Sequence, residues 1–336
     1  MPGVILMKML LPSLVVFASL MLFGCCACDY FITGPPTITT PTPGPYASAT
    51  PPPMGTATPF ETATPAASPT ASLRSCPQSI TECCIINAPG DYVLANDITN
   101  PRVFGDGEGV EMTGSCIYVA RGTTDVKLDC ATKKMIGPGG YNSLEGVLAV
   151  GAERVSVENC GISGFGTGIM FYESRECSAA WNVVENATGV GVFIDNSYDS
   201  NATSNLVNSS GQGIGLSGGE RNMAVLNSVY HCTSGIGMLG APAEVKGNSV
   251  SWNDVGISAW RGSIIRDNIL EGNKYQAIMA ASNCLVSGNR ACGSYDQYAD
   301  IYCKNCIYCV NAENVTGSNS CNVTQSCPGI TCAGGC

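Results

Sequence analysis

The chain has 336 residues, of which 26 are acidic and 16 are basic, so its formal net charge is -10 at pH 7. This acidity argues against nucleic acid and anionic lipid surfaces as binding partners. The 20 cysteines are typical of a protein that folds outside the reducing cytosol.

Residues 1–24 have the features of a signal segment. They contain one charged residue, Lys8, and then an apolar run that leads into Leu22-Phe23-Gly24-Cys25. The run is short for a membrane span, and a small residue before a cysteine indicates processing. The last four residues resemble the lipobox of prokaryotic lipoproteins, which implies lipidation of Cys25. The alternative is an uncleaved N-terminal anchor, and both outcomes tether the chain to a membrane.

Residues 25–75 are predicted to be a lipid-anchor region followed by a disordered stalk. The stretch is dominated by Pro, Thr, Ala and Ser and carries almost no charge. Such a composition cannot bury a core and favours an extended, polyproline-like conformation. At about 3 Å per residue, the stalk would hold the following domain on the order of 100 Å from the membrane.

Residues 76–302 contain two series of residues that repeat with one period. Asparagines recur every 20 to 23 residues, at Asn182, Asn205, Asn227, Asn248, Asn268 and Asn289. A second series consists of Gly168-Ile169, Gly189-Val190, Gly213-Ile214, Gly235-Ile236, Gly256-Ile257 and Ala277-Ile278. Two series with the same period indicate one repeating structural unit.

The residues inside this unit predict one coil of a β-helix. Leucine-rich and helical repeats need leucines or strong helix formers, whereas this unit has short β-branched segments between Gly and Asn. Equivalent residues of stacked coils lie about 4.8 Å apart and form ladders. We therefore expect an all-β, single-stranded parallel solenoid with an inward asparagine ladder, in which the glycines permit the bend that starts each strand.

The cysteines predict disulfides and a C-terminal cap. Cys130 and Cys160 follow similar turn residues and would lie within disulfide distance if their coils are successive. Residues 303–336 are expected to form a disulfide-rich cap that covers the last strand edge. The spacing of Cys303, Cys306 and Cys309 is also that of a metal site, but an oxidising compartment favours disulfides.

Several segments together resemble a known superfamily. They are Pro89 to Ile98, Ser115 to Val119, Val126 to Cys130 and Val155 to Ile169. They are similar to right-handed parallel β-helix proteins of the pectate-lyase-like superfamily, and most of all to NosD-like and carbohydrate-binding, sugar-hydrolase domains of surface proteins, which are common in archaea. The resemblance implies a right-handed β-helix and a role with polysaccharides.

The NosD name carries an association with copper, which this sequence supports poorly. His231 is the only histidine. Met170, Met238 and Met279 lie near the Gly-Ile strands, where packing explains them better than a soft-metal site does. We therefore predict no metal and no cofactor.

Enzymes of this superfamily act along one sheet face, so a site is expected in the row of residues that follows the Gly-Ile strands. Glu173 and Asp195 are expected to project from adjacent coils and would be able to divide acid and base roles. Tyr172 and Trp260 are candidate stacking platforms for sugars, and Arg261 is a candidate ligand contact. The alternative interpretation is that these carboxylates are solvated loop residues.

Five sequons predict N-glycosylation sites if the organism has the machinery. They begin at Asn186, Asn201, Asn208, Asn314 and Asn322.

Three functions remain open at this point. The first is a membrane-anchored, extracytoplasmic cell-surface module that binds a polysaccharide or a cell-envelope glycan. The second is a polysaccharide lyase or glycoside hydrolase that uses Glu173 and Asp195. The third is a structural or adhesive surface protein.

Overall fold

The structure is a computed structural model that describes residues 75–99, 114–140 and 144–292. Beyond these residues it describes only the backbones of short strands, at 295–296, 301–302, 307–309, 317–321 and 330–333. Cys25, the predicted signal segment and nearly all of the predicted stalk lie outside the described residues, as do Asn314 and Asn322.

The described residues form three parallel sheets that are wound from one chain. The chain passes from sheet 3 to sheet 1 to sheet 2 and then begins the next coil in sheet 3. The ten strands of sheet 1 are Ser79–Ile80, Gly90–Leu94, Thr124–Asp129, Glu153–Glu158, Ser178–Ala180, Asn201–Thr203, Met223–Val225, Glu244–Lys246, Ile264–Arg266 and Leu285–Ser287.

Sheet 2 has eleven strands and sheet 3 has ten. The strands of sheet 2 are Ile98–Thr99, Lys134–Ile136, Gly161–Ser163, Val183–Glu185, Leu206–Asn208, Ser228–Tyr230, Ser249–Ser251, Ile269–Glu271, Arg290–Cys292, Gly317–Cys321 and Ile330–Ala333. Those of sheet 3 are Cys84–Ile86, Ser115–Val119, Glu145–Val150, Thr167–Tyr172, Val190–Asp195, Gln212–Ser217, Ser234–Leu239, Val255–Ala259, Gln276–Ala280 and Ile307–Cys309. A separate antiparallel pair joins Tyr295–Asp296 and Ile301–Tyr302.

The core is a set of in-register apolar columns inside the coils. In the three-residue strands of sheet 2 the middle residue points inward, so that Val184 pairs with Val207 and Val207 with Val229. The column of residues two places after the asparagines is therefore buried, as predicted. Each fully buried Val or Ile contributes about 1.5–3 kcal/mol relative to exposure, so the repeated pattern supplies stability coil by coil.

The asparagine ladder is confirmed at the corner between sheets 1 and 2. All six asparagines are buried. The side-chain amide of Asn205 donates to Asn227 Oδ1 at 3.0 Å and to the carbonyl of Ala179 at 2.8 Å, and Asn227 Oδ1 also accepts the Asn205 backbone N–H at 2.9 Å. The other rungs have similar bonds. The buried amides are thus satisfied within the ladder.

The ladder begins with a disulfide. Cys130 and Cys160, the pair expected from the sequence, are bonded, with their Cα atoms 4.7 Å apart. Cys160 occupies the rung before Asn182, because its backbone N–H donates to Asn182 Oδ1 at 3.0 Å. Two further disulfides join Cys76 to Cys84 and Cys83 to Cys116, in the first coils.

A second ladder, which sequence reasoning missed, lies at the corner between sheets 2 and 3. Asn253 donates to Asn273 Oδ1 at 3.1 Å, and the Cys232 backbone N–H donates to Asn253 Oδ1 at 2.9 Å. Cys232 is one of three free, buried cysteines in the described residues, the others being Cys177 and Cys284.

The glycines of the second repeat series are needed for close packing between coils. A Cβ at Gly168 would lie 2.4 Å from the carbonyl oxygen of Gly191, and one at Gly213 would lie 2.6 Å from that of Gly235. None of the glycines in this series has a positive φ, and only Gly189 lies at a bend before its strand, whereas Gly168, Gly213, Gly235 and Gly256 lie inside strands, so the expected bend is absent at those four. The repeated Gly instead leaves room for the backbone of the next coil.

Candidate functional site

The candidate site lies where the strands of sheet 3 end. Tyr172 and Asp195 end neighbouring strands and are partners in register, and Asp195 is the partner of Ser217 in the next coil. Glu173 follows Tyr172, and its backbone N–H donates to the Asp195 carbonyl at 3.0 Å. The structure therefore places Tyr172, Glu173 and Asp195 together on adjacent coils.

The register of this row differs from the sequence prediction by two residues. Ile169 pairs with Val192 and not with Val190. Two Gly-Val pairs, at Gly189 and Gly191, follow one another in this coil. Because strand side chains alternate with a period of two, both pairs give the same inward and outward faces. The sequence pattern alone could not distinguish them.

Glu173 forms an ion pair that the sequence analysis did not foresee. Arg121 Nη2 lies 2.8 Å from Glu173 Oε2, with the two side chains 61% and 42% exposed. Arg121 reaches over the intervening coil at Gly151, where a Cβ would come within 2.7 Å of Arg121 Nη1. Gly151 also has a φ of +53°, which favours glycine. In the sequence, Gly151 was the residue from which the path of the Arg121 side chain could have been inferred.

Asp195 occupies a different environment from Glu173. Its side chain is buried, and this burial raises the pKa of the carboxyl above its ordinary value. The negative charge of Glu173 raises the pKa further, whereas the Ser217 side chain and the Asn196 backbone N–H oppose the shift. The cluster thus combines a buried carboxyl, whose pKa is raised, with an exposed, ion-paired one.

Tyr172 connects the two carboxyls. Burial raises the pKa of its phenol, and so do the neighbouring charge of Glu173, the hydrogen bond to it and the charge of Asp195. The ring is partly exposed. Tyr172 can therefore offer both a ring face and a hydroxyl donor to a ligand.

Trp260 and Arg261 lie farther along the same edge of sheet 3. The register carries the row from Asp195 through Ser217 and Leu239 to Trp260. Three coil steps separate Asp195 from Trp260, roughly 14 Å. The Arg261 guanidinium carbon lies 5.9 Å from the centroid of the Trp260 ring. The structure therefore pairs Trp260 with Arg261, but not with the carboxyl cluster.

The three described sequon asparagines occupy different positions. Asn186 is exposed at a corner with a φ of +55°. Asn201 lies in a sheet 1 strand, and its Oδ1 accepts bonds from Ser178 and Thr203. Asn208 ends a sheet 2 strand and is partly exposed. Glycosylation at these sites stays a prediction.

Across the described residues, the structure contains no helix with the length and apolar character that a membrane crossing requires.

The sequence model of a family described as "Periplasmic copper-binding protein (NosD)" matches residues 80–243. The donors needed for copper do not gather in the described part of the chain, where no group of three His, Cys, Asp or Glu residues could hold a metal. Burial raises the pKa of Cys177 and Cys232 to about 11, which disfavours the thiolate that binds metals. These residues therefore do not fit a copper site.

Solved structures with a similar fold include the DFA-IIIase from Arthrobacter chlorophenolicus A6 without its lid. It has a TM-score of 0.55 and 12% identity, over 78% of this chain and 73% of that one. The tailspike protein 2 enzymatically active domain of Bacteriophage CBA120 has a TM-score of 0.50 and 12% identity, over 73% of this chain and 42% of that one. The Azotobacter vinelandii mannuronan C-5 epimerase AlgE4 A-module has a TM-score of 0.43 and 12% identity, over 76% of this chain and 80% of that one.

No curated protein matches the sequence. The family model and the fold nevertheless agree with the resemblance found in the sequence. The domain has the fold of a right-handed parallel β-helix, and residues 80–243 of it match the NosD family model.

Proposed function

We propose that this chain is a membrane-tethered, extracytoplasmic module that binds a polysaccharide or a cell-envelope glycan along the edge of sheet 3. The observation that carries the proposal is the convergence of Arg121, Tyr172, Glu173 and Asp195 at the ends of neighbouring strands. The periplasmic description of the matching family and the disulfides of the first coils support an extracytoplasmic location.

The chemistry of this edge suits a sugar chain. Tyr172 and Trp260 provide ring faces for the apolar faces of pyranose rings, and Arg121, Arg261 and the carboxyls provide hydrogen bonds to hydroxyl or carboxylate groups. The separation of roughly 14 Å between Asp195 and Trp260, set by the coil spacing, favours an extended ligand that contacts both ends of the row.

Binding is tested with a glycan array followed by titration calorimetry on the best ligand. Tyr172→Ala should weaken binding about tenfold or more, because a stacked ring contributes roughly 1–3 kcal/mol. Tyr198→Ala is a matched control, since Tyr198 is an exposed tyrosine of the same corner, in the turn after Asp195, and is not part of the cluster. The proposal fails if the chain binds no glycan, or if both variants bind like the parent.

Membrane attachment is tested separately by partition into detergent. If Cys25 is lipidated, the parent chain should incorporate labelled fatty acid and enter the detergent phase, whereas Cys25→Ser should do neither. A Cys25→Ser protein that still enters the detergent phase indicates an uncleaved anchor. A parent protein that stays in the aqueous phase contradicts both forms of tether.

A second candidate function is that of a polysaccharide lyase or glycoside hydrolase. The specific observation is the unequal environment of the two carboxyls, because burial raises the pKa of Asp195 while Glu173 is exposed and pairs with Arg121. Unequal environments are how two carboxyls divide acid and base roles. Asp195 would then protonate the leaving glycosidic oxygen, and Glu173 would accept a proton from water or from the sugar.

Turnover is tested with a reducing-sugar assay and an assay for unsaturated products. Glu173→Gln and Asp195→Asn should each abolish turnover while leaving glycan binding within about tenfold, because both substitutions keep the side-chain volume. Turnover that survives the double substitution excludes this pair. Binding without turnover supports the binding module, and the absence of both favours a structural or adhesive role.

A further inference from the structure

A second aromatic surface lies far around the coil from the candidate site, at the corner where sheet 2 gives way to sheet 3. Trp252 lies at this corner and is 56% exposed, and Trp181, which lies at the corner between sheets 1 and 2, is 60% exposed. Both also have positive φ values, +55° and +59°. A bulky residue in this left-handed conformation costs roughly 1–2 kcal/mol, and here neither side chain recovers that cost through burial.

The fold does not require a tryptophan at position 252. Equivalent corner residues of other coils, all with positive φ, are Asn186, Ser209, His231 and Gly272. Asparagine and glycine tolerate this conformation well. An exposed, strained tryptophan in their place is an observation from which a functional role can be argued.

Three aromatic side chains, Trp252, His231 and Tyr230, lie at or next to this corner. The Trp252 ring rests against Gly272 of the next coil, where a Cβ would come within 2.8 Å of the ring atoms. His231 occupies the same corner one coil earlier, about 4.8 Å away along the stack. The Tyr230 and His231 rings are 5.2 Å apart and nearly perpendicular, at 76°. The Trp252 indole is thus seated on Gly272, with His231 and Tyr230 one coil away on its other side.

Polar groups that can take part in hydrogen bonds border these rings. Asn208 Oδ1 lies 3.3 Å from His231 Nδ1 and accepts the Ser209 hydroxyl at 3.0 Å. Ser251 is the partner of Tyr230 in the next coil. Glu271 follows in the same column, and its carboxylate pairs with Arg290 at 2.7 Å.

We propose that Tyr230, His231 and Trp252 form a second carbohydrate-binding site, which takes a neutral pyranose unit of an oligosaccharide. Ring faces accept the C–H groups of the sugar, while amide and hydroxyl groups at the rim bond to its hydroxyls. The charged side chains nearest this corner are paired, Glu271 with Arg290 and Asp254 with Lys274, so the surface offers little to an anionic sugar. This site is separate from the sheet 3 edge and does not depend on the function proposed there.

The test uses the full chain and two neutral probes, chitohexaose and cellohexaose, with titration calorimetry and tryptophan fluorescence. Trp252→Gly should weaken binding of the preferred probe about tenfold or more. It should not lower the thermal midpoint, because glycine suits the left-handed conformation. Trp252→Phe should retain most of the affinity.

Trp181→Gly is the matched control. Trp181 has the same backbone conformation and similar exposure, but its corner neighbours in adjacent coils are Asn159 and Ser204. The Trp181→Gly variant should bind the preferred probe with an affinity within about twofold of that of the parent. Tyr172→Ala should also leave this binding unchanged, which separates the result from a failure of the sheet 3 proposal.

Four results would overturn the inference. The parent chain binds neither probe, Trp252→Gly binds like the parent, or Trp181→Gly loses as much affinity as Trp252→Gly. The fourth is that sedimentation shows self-association of the parent that Trp252→Gly abolishes, without any sugar binding, because the rings would then contact a second copy of the chain.

Discussion

Two corners of the same coils differ in length and in how regularly their residues repeat. One joins sheets 1 and 2, and the other joins sheets 3 and 1. At the corner between sheets 1 and 2, every coil from residues 159–160 to residues 288–289 has two connecting residues. The second of these two residues is Cys160 in the first of these coils and a ladder asparagine in the others. At the corner between sheets 3 and 1, the connection varies in length from two residues, 151–152, to five residues, 173–177. The candidate site lies at the variable corner.

The difference teaches how to interpret a solenoid. A residue that recurs in every coil satisfies a requirement that every coil has, such as the buried amide of Asn227. Arg121, Tyr172 and Asp195 occur once each in their rows, so the stacking of coils does not demand them. Residues that hold the stack and residues that can meet a ligand should therefore respond differently to substitution.

The largest effect is expected when the first rung of the ladder is removed. Cys130→Ser together with Cys160→Ser opens a loop with a sequence separation of 30, and the free energy of unfolding should fall by about 3–4 kcal/mol. Urea unfolding measures the loss. Cys284→Ser, a change at a free and buried thiol, controls for the substitution itself. A loss below about 1 kcal/mol would show that the ladder does not need its covalent start.

The next largest effect is expected within the ladder. Asn227→Ala removes the acceptor of the Asn205 amide and the donor to Asn248 and Ala202. Buried groups left without partners should cost about 2–3 kcal/mol in unfolding free energy. Asn208→Ala, outside the ladder, should cost less than about 0.5 kcal/mol. Equal losses for the two variants would remove the distinction between ladder and surface asparagines.

At the variable corner, Asp195→Asn should change the pH dependence of stability. The folded pKa lies above the ordinary value of 3.8, so folding favours the protonated form. The parent therefore pays a penalty above its folded pKa, and this penalty shrinks as the pH falls and is absent below about 3.8. The variant should gain stability relative to the parent at pH 7 and none at pH 3, as thermal melts at both values can show. A gain that is the same at both pH values would contradict the burial of a titrating carboxyl.

The smallest effect on stability is expected for the exposed ion pair. Arg121→Gln removes the pair with Glu173, but exposed pairs contribute less than about 1 kcal/mol. Arg121→Gln should lower the affinity for the glycan strongly while it changes the free energy of unfolding little. Arg154→Gln, which removes the exposed pair with Asp125, should leave glycan affinity unchanged. A large loss of stability for Arg121→Gln would make Arg121 a structural residue.

The sequence was sufficient for the fold wherever one residue type repeats. The asparagine ladder and the inward apolar column were predicted because each coil places the same chemistry at the same position. The second ladder was missed because its rungs change from Cys232 to Asn253, although the hydrogen bonds are alike.

The candidate site was less predictable for the same physical reason. Tyr172, Glu173 and Asp195 were found only as neighbours in a row whose register was two residues in error at Val190. Arg121 lies two coils away from Glu173, and its side chain passes over Gly151, which has no side chain of its own. No repeat marks such a contact.

The ladder also has a consequence for how the domain comes apart. Asn205 donates to Ala179 in the coil before it and to Asn227 in the coil after it. Each rung therefore joins three coils, and a coil cannot open without breaking bonds held by both of its neighbours. Because these bonds run only between adjacent coils, opening can begin at the ends of the stack, as in other solenoids. We expect the ladder amides of the terminal coils to exchange with solvent faster than those of the central coils, which are held from both sides.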